Sequence, residues 1–425
     1  MENGLYHKTT LANGLRVITA PMPHTRSVAV SVYVGAGSRY ETEQEAGLSH
    51  FVEHLCFKGT EHRPTSREIS EAIDGAGGII NAGTDRELTV YYCKVAQPHF
   101  ALSIDVLADL VRRPLFEPSE LELERRVVLE ELAMVADSPG QQVDLLLDET
   151  LWPDQPLGRD VAGSEESVRG LSREMVVEYL RRQYVPNNVV VSVAGAVSQE
   201  QSIEVISDAL GDWSRGEPGS WFPAVDGQQA PQTGLKYKKT EQAHLSLAVR
   251  GLPLKHPDRY ALSMLSVILG EGMSSRLVQE LRERRGLCYD VHSYAASFQD
   301  TGVFGVYAAV DPARAQETLS ALLAELAQIR DDGVKAEELT RAKEFAKGRL
   351  LLRMEDTRAV SDWLGAQELL TGRIRTADDV VELIDAVTEK DLLQVARKLL
   401  VAGQLNLAVV GPYRSVRRFA SVLKL

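Results

Sequence analysis

Two stretches half a chain apart follow one plan, and this repetition constrains the fold more than any other feature. Helix-start signals, a hydroxyl residue followed by an acid and then an apolar run, occur at Ser172 and at Thr388, 216 residues apart. Each leads into a run rich in β-branched residues that closes on glycine: Asn188 to Val193 before Gly195, and Leu405 to Val410 before Gly411. Earlier in each half a strand-like stretch (Leu88 to Val95; Val303 to Val310) precedes a long amphipathic helical stretch from Phe100 or Ala313. A second helical stretch follows near Leu121 or Leu339. The same elements in the same order imply a duplicated domain.

Between the repeats, Gly211 to Gln232 collects Gly, Pro, Ser and Gln, the composition of a linker. The expected organisation is residues 1–215, a linker at 216–233, and a second domain at 234–425. A chain of 425 residues is long enough for two such cores. Alternating strands mixed with clustered helices predict α+β domains, each a largely antiparallel sheet packed with helices.

The balance of 47 basic and 60 acidic residues leaves a net charge of −13. With no basic run, a nucleic-acid partner is not expected. Cys56, Cys93 and Cys288 lie far apart, offering neither a disulfide framework nor a thiolate metal site. No charged-then-apolar leader and no apolar run of about 18 residues is present, so the expected compartment is the cytoplasm, without a membrane partner.

The chemistry is concentrated in Leu48 to Phe57. His50 and His54 stand four apart with Glu53 between them, so one helical face carries two imidazoles and a carboxylate. Two neutral imidazoles plus one more carboxylate suit Zn²⁺ and leave a fourth position open for water, the coordination of a hydrolytic site. The order His-x-x-Glu-His is the inverted zinc motif, and nine histidines in 425 residues make it a rare accident. Bland alternatives, core or surface histidines, explain a lone residue better than this pattern. The third ligand should come from Glu124, Glu130 or Glu131. Glu124 and Glu131, seven apart, share a helical face, whereas Glu130 is rotated by about 100° from Glu131. Spacing does not choose among them.

These residues resemble the insulinase and pitrilysin family of inverted-motif zinc peptidases, in particular its short-chain, processing-peptidase-like bacterial branch. Besides His50 to Thr60, the blocks Asn81 to Thr84, Glu124 to Glu131, Pro156 to Asp160, Pro186 to Asn188, Ser274 to Leu277 and Arg282 to Tyr289 carry the likeness. By that resemblance Glu131 is the third zinc ligand and Glu124 an accessory acid that orients the site. It further implies that Asn81 and Ala82 pair their backbone with an extended substrate strand. Arg282 and Tyr289 match the family's second-half pair that reaches the substrate carbonyl, where a guanidinium or a phenol can stabilise an oxyanion.

The resemblance therefore implies a zinc-dependent endopeptidase, one Zn²⁺ per chain, with Glu53 as general base and unstructured peptides as substrates in a closed chamber. The family builds that chamber from four such domains, so a two-domain chain pairs with another. Because this chain carries both the metal motif and the arginine–tyrosine pair, a homodimer is expected ahead of a heterodimer with a paralogous chain. Gln141, Gln142, Asp144 and Asp148 match imperfectly the acidic residues with which processing peptidases read a basic residue. Rival readings are a non-catalytic assembly subunit and a protein that holds extended peptides without cutting them.

Overall fold

Strand composition sorts each sheet into interior and edge. In the computed structural model, which describes residues 5–425, β3 (Ser27–Val34) and β6 (Val189–Gly195) are apolar, β-branched and buried along nearly their whole length. β4 (Ile79–Thr84), with Asn81, Ala82 and Gly83, is half-exposed and lies at an edge. With β1 (His7–Thr10), β2 (Arg16–Pro21) and β5 (Thr89–Ala96) they form a six-stranded sheet in the order β1-β2-β6-β3-β5-β4. All its pairs are antiparallel except β2 with β6.

The second sheet repeats this order. β7 (Gln232–Tyr237), β8 (Ala243–Arg250), β9 (Cys288–Ser297), β10 (Gly302–Val310) and β11 (Asn406–Gly411) are arranged β7-β11-β8-β10-β9, again with one parallel pair, β7 with β11. Reading β7 as β2, β11 as β6, β8 as β3, β10 as β5 and β9 as β4, the two orders coincide from β2 onward. The repeated helix starts have matching local causes. Ser172 and Thr388 each accept a backbone N–H with the side-chain oxygen, opening the helices Arg173–Gln183 and Glu389–Leu399.

In the first unit, residues alternate across the pleat of β3. Val28, Val30 and Val32 join the core beneath α1 (Leu48–Cys56), together with Ile104, Leu107 and Leu110 of the helix Phe100–Arg112. On the opposite face, Ser31 and Tyr33 meet the helix Thr357–Thr371, drawn from far along the chain. Ser31 Oγ lies 2.8 Å from Ser361 Oγ, and Tyr33 donates to Asp362 at 2.6 Å. Gly365 sits so near that a Cβ there would stand 2.5 Å from the Tyr33 ring.

The compact units are therefore not contiguous halves. One comprises the residues up to Leu132, Asp160–Phe222 and Leu351–Thr376; the other comprises Ala133–Arg159, Pro223–Leu350 and Ala377–Leu425. Strands keep to the division at the irregular segment 213–231, but two helices do not. The helix Thr357–Thr371 covers the first sheet. The helix Pro139–Leu151 covers the second, packing Val143 and Leu147 on Ala248, Ala408 and Val410, while Arg250 donates to the Leu151 carbonyl at 2.5 Å. Each sheet has two apolar faces, and its own half of the chain supplies the cover for only one.

Candidate metal centre

α1 is short and sharply divided. Leu48, Phe51, Val52, Leu55 and Cys56, at i, i+3, i+4, i+7 and i+8, are fully buried, which turns His50, Glu53 and His54 to the opposite face. Cys56 faces the core, where burial pushes its thiol up to about 12, so it takes no part in the centre.

Opposite α1 lies a 20-residue helix, Pro118–Asp137, whose Leu121, Glu124 and Val128 point inward. It separates the three candidate glutamates. Glu131 Oε2 lies 3.8 Å from His50 Nε2 and 3.6 Å from His54 Nε2, and the two Nε2 atoms are 3.2 Å apart. Glu124, one side of the cluster and almost wholly buried, accepts from His54 Nδ1 at 3.0 Å through Oε2 and pairs with Lys58 Nζ at 2.6 Å through Oε1. Glu130 is exposed.

This donor set fits zinc. Bonds of about 2.0–2.1 Å in tetrahedral arrangement hold ligand atoms about 3.4 Å from one another, and the observed separations of 3.2, 3.6 and 3.8 Å bracket that value. Three ligand atoms converge, and water would supply the fourth. The second ring nitrogen of His54 is bonded to a carboxylate, the arrangement that fixes a metal-binding tautomer. His50 Nδ1 is buried without a hydrogen-bond partner among the described residues, so His50 lacks the second bond that orients His54.

The two imidazoles differ in protonation, and only that of His50 is held neutral by its surroundings. Burial, helped by neighbouring His54, pushes His50 down to about 4, leaving it neutral at physiological pH. Burial opposes charge on His54 too, but the Glu124 hydrogen bond and the Glu131 and Glu53 carboxylates outweigh it and raise its pKa. Burial likewise raises Glu53, partly offset by the Thr84 hydroxyl, which donates to Glu53 Oε2 at 2.6 Å. A carboxylate raised in this way is a better proton acceptor than a solvated one.

Asn81 and Ala82 lie on β4, which pairs with β5 on one side and, among the described residues, has no strand on the other. Asn81 Oδ1 accepts the Ala82 N–H at 2.8 Å. In the second unit, Arg282 sits in a short π-helical segment, Val278–Arg284, and Tyr289 on β9. These two come together: the guanidinium lies 5.2 Å from the phenol ring centroid, and Tyr289 is 76% exposed. Gln141, Gln142, Asp144 and Asp148 belong to the helix Pro139–Leu151 of this same unit. Thr84 and Lys58 were not singled out by spacing, although Lys58 stands four residues after His54 and Thr84 ends the Asn81 block.

Comparison with known proteins agrees with this geometry. Residues 16–165 match the family model described as insulinase (peptidase family M16), and residues 170–345 match the peptidase M16 inactive domain. An uncharacterized zinc protease of Streptomyces coelicolor is 37% identical over 97% of this chain and 90% of its own length. One from Bacillus subtilis is 36% identical over 95% of this chain and 97% of its own.

The chain belongs to the insulinase family of peptidases.

Its fold matches the crystal structure of a protease from Helicobacter pylori, with a TM-score of 0.91 at 24% identity over 96% of this chain and 99% of the other. The crystal structure of a peptidase M16 inactive domain from Pseudomonas fluorescens aligns with a TM-score of 0.89 at 20% identity, over 96% and 99%. The one group among the described residues able to hold a metal, His50, His54 and Glu131, lies in the first unit. Among the described residues no helix is long and apolar enough to cross a membrane.

Proposed function

We propose that this protein is a zinc-dependent metalloendopeptidase that hydrolyses unstructured peptides or small unfolded segments. The observation that carries the reading is the convergence of His50, His54 and Glu131 on one point, with Glu53 held on the same helical face. Zinc held by His50, His54 and Glu131 would supply Lewis acidity and a water of lowered pKa. Glu53 would take the proton of the attacking water and return it to the leaving amine. Thr84 keeps the Glu53 carboxylate in place for both transfers. Glu124, paired with Lys58, holds His54 so that Nε2 faces His50 Nε2 and Glu131.

The substrate adds as a strand to the open edge of β4 at Asn81 and Ala82, and the Asn81 side chain releases the Ala82 amide to let it pair. Arg282 and Tyr289 stabilise the oxyanion. The working form is a homodimer that closes a chamber around the peptide, and it resides in the cytoplasm; sedimentation velocity and cell fractionation test these two parts.

The deciding experiment is digestion of a peptide library by the purified protein, beside Glu53→Gln and with zinc measured in both. The expected result is one zinc per chain in each and cleavage only by the wild type. Near-normal turnover by Glu53→Gln removes the base assignment. Zinc-loaded wild type that binds peptides and leaves them intact makes the protein a holder of extended segments instead.

A further inference from the structure

The helix that carries both histidines has no cap of its own. Gly47 occupies its N-cap position with φ of 91°, a conformation that favours glycine, and a Cβ there would stand 2.5 Å from the Ala162 carbonyl oxygen. The usual capping residues, Ser, Thr, Asp or Asn, are therefore shut out. The buried amides at this helix end are satisfied from elsewhere. Glu41, 1% exposed, accepts the Gly47 N–H at 2.8 Å through one carboxylate oxygen and the Ser49 N–H at 2.6 Å through the other. The intervening Leu48 N–H donates to the Glu45 carbonyl at 2.8 Å. The Ser49 hydroxyl, in turn, lies 2.6 Å from the buried Tyr179 hydroxyl on the helix Arg173–Gln183.

We infer that Glu41 is a positioning residue for the metal centre: by clamping the head of α1 it fixes the first turn, and with it His50, against His54 and Glu131. This rests on the zinc-peptidase reading above. Glu41 touches no ligand, and it acts through the backbone.

Two physical effects run the same way. His50 directly follows the clamped Ser49 and lies in the first helical turn, whereas Glu53 and His54 lie a turn further in. Each residue of the helix turns its side chain by about 100°, so loosening one residue of that turn swings His50 off the Nε2 position while leaving His54 in place. The head of a helix also carries the positive end of the macrodipole, which disfavours a dication bound within the first two turns. A buried carboxylate at that head offsets it.

The test compares Glu41→Gln with Thr65→Ala, which removes the capping box of α2 (Ser66–Asp74), a helix outside the metal centre. Zinc affinity is measured by chelator competition, and the coordination sphere by the visible absorption of the Co²⁺-substituted protein. Peptide cleavage is resolved into kcat and KM. Glu41→Gln, one step behind the ligands, is expected to weaken zinc binding about 10-fold, the lower end of what loss of a group bonded directly to a ligand costs. It should also alter the cobalt spectrum and lower kcat with KM little changed. Thr65→Ala is expected to keep wild-type zinc affinity and spectrum.

Folded Glu41→Gln with wild-type zinc affinity overturns the inference, and so does an equal loss in both variants, since that reports general loosening alone. If Glu41→Gln does not fold, Glu41→Asp, which withdraws the carboxylate by one methylene, carries the same comparison; parity with wild type overturns the inference there too. Wild type that binds zinc but cleaves nothing defeats the peptidase reading only, because the affinity difference is read without turnover.

Discussion

Replacing Glu124 by glutamine separates the two things this buried side chain does. Its Oε2 accepts from His54 Nδ1 at 3.0 Å and its Oε1 pairs with Lys58 Nζ at 2.6 Å. An amide offers one acceptor where the carboxylate offers two, so its NH₂ must face either the Lys58 ammonium or the His54 N–H. In metal-free protein the loss is one charge-assisted hydrogen bond in a site only 3% exposed at Glu124, about 1.5–3 kcal/mol. Lys58, 26% exposed, can turn to water, which holds the cost within that range.

The second effect appears only with zinc. Loss of an outer-shell partner weakens metal binding about 10–100-fold, and ligand stabilisation follows the logarithm of affinity. The zinc-dependent increment in unfolding free energy should therefore shrink by about 1.4–2.7 kcal/mol at saturating zinc. Urea unfolding of wild type and Glu124→Gln, each with chelator and with excess zinc, measures both quantities. An unchanged zinc increment beside a lowered metal-free stability would refute the orienting role and reduce Glu124 to a packing residue.

Chelation of wild type should lower its thermal midpoint and abolish cleavage, and restored zinc should return both; calorimetry with a fluorogenic peptide assay checks this. Tyr289→Phe should lower kcat about 10²–10³-fold, the cost of one lost oxyanion donor, with zinc content unchanged by elemental analysis. An intact kcat would remove the second unit from the chemistry. Gly365→Ala reverses a common rule. Glycine to alanine inside a helix usually stabilises by about 0.5–1 kcal/mol. Here the new methyl would meet the Tyr33 ring at 2.5 Å, so urea unfolding should show a loss of about 1–3 kcal/mol.

The metal helix was legible because its information is local. A period of 3.6 residues places His50, Glu53 and His54 opposite the apolar stripe of α1 whatever surrounds them. The duplication was legible for the same reason, since caps, β-branched runs and closing glycines are features of short segments. The strands fell within a residue or so of their expected bounds: Thr89–Ala96 for Leu88 to Val95, and Gly302–Val310 for Val303 to Val310.

The rest depended on distance through space. Spacing left Glu124, Glu130 and Glu131 as candidates, and Glu131 was picked out by the family resemblance; the placement of their helix across α1 sets Glu131 against the two Nε2 atoms and Glu124 against His54 Nδ1. Thr84 reaches Glu53 across 31 residues and Glu41 reaches the head of α1 from outside the helix, and no periodicity records either. The crossing of two helices into the other half's unit is equally silent in sequence. An apolar stripe requires a sheet face to cover without specifying which one. Local pattern, then, determined which residues could bind a metal and that the domain occurs twice, because helix and strand periods act within one segment. Tertiary structure decided which carboxylate lies beside the two Nε2 atoms and which helix covers which sheet, because those choices depend on packing between segments distant in the chain.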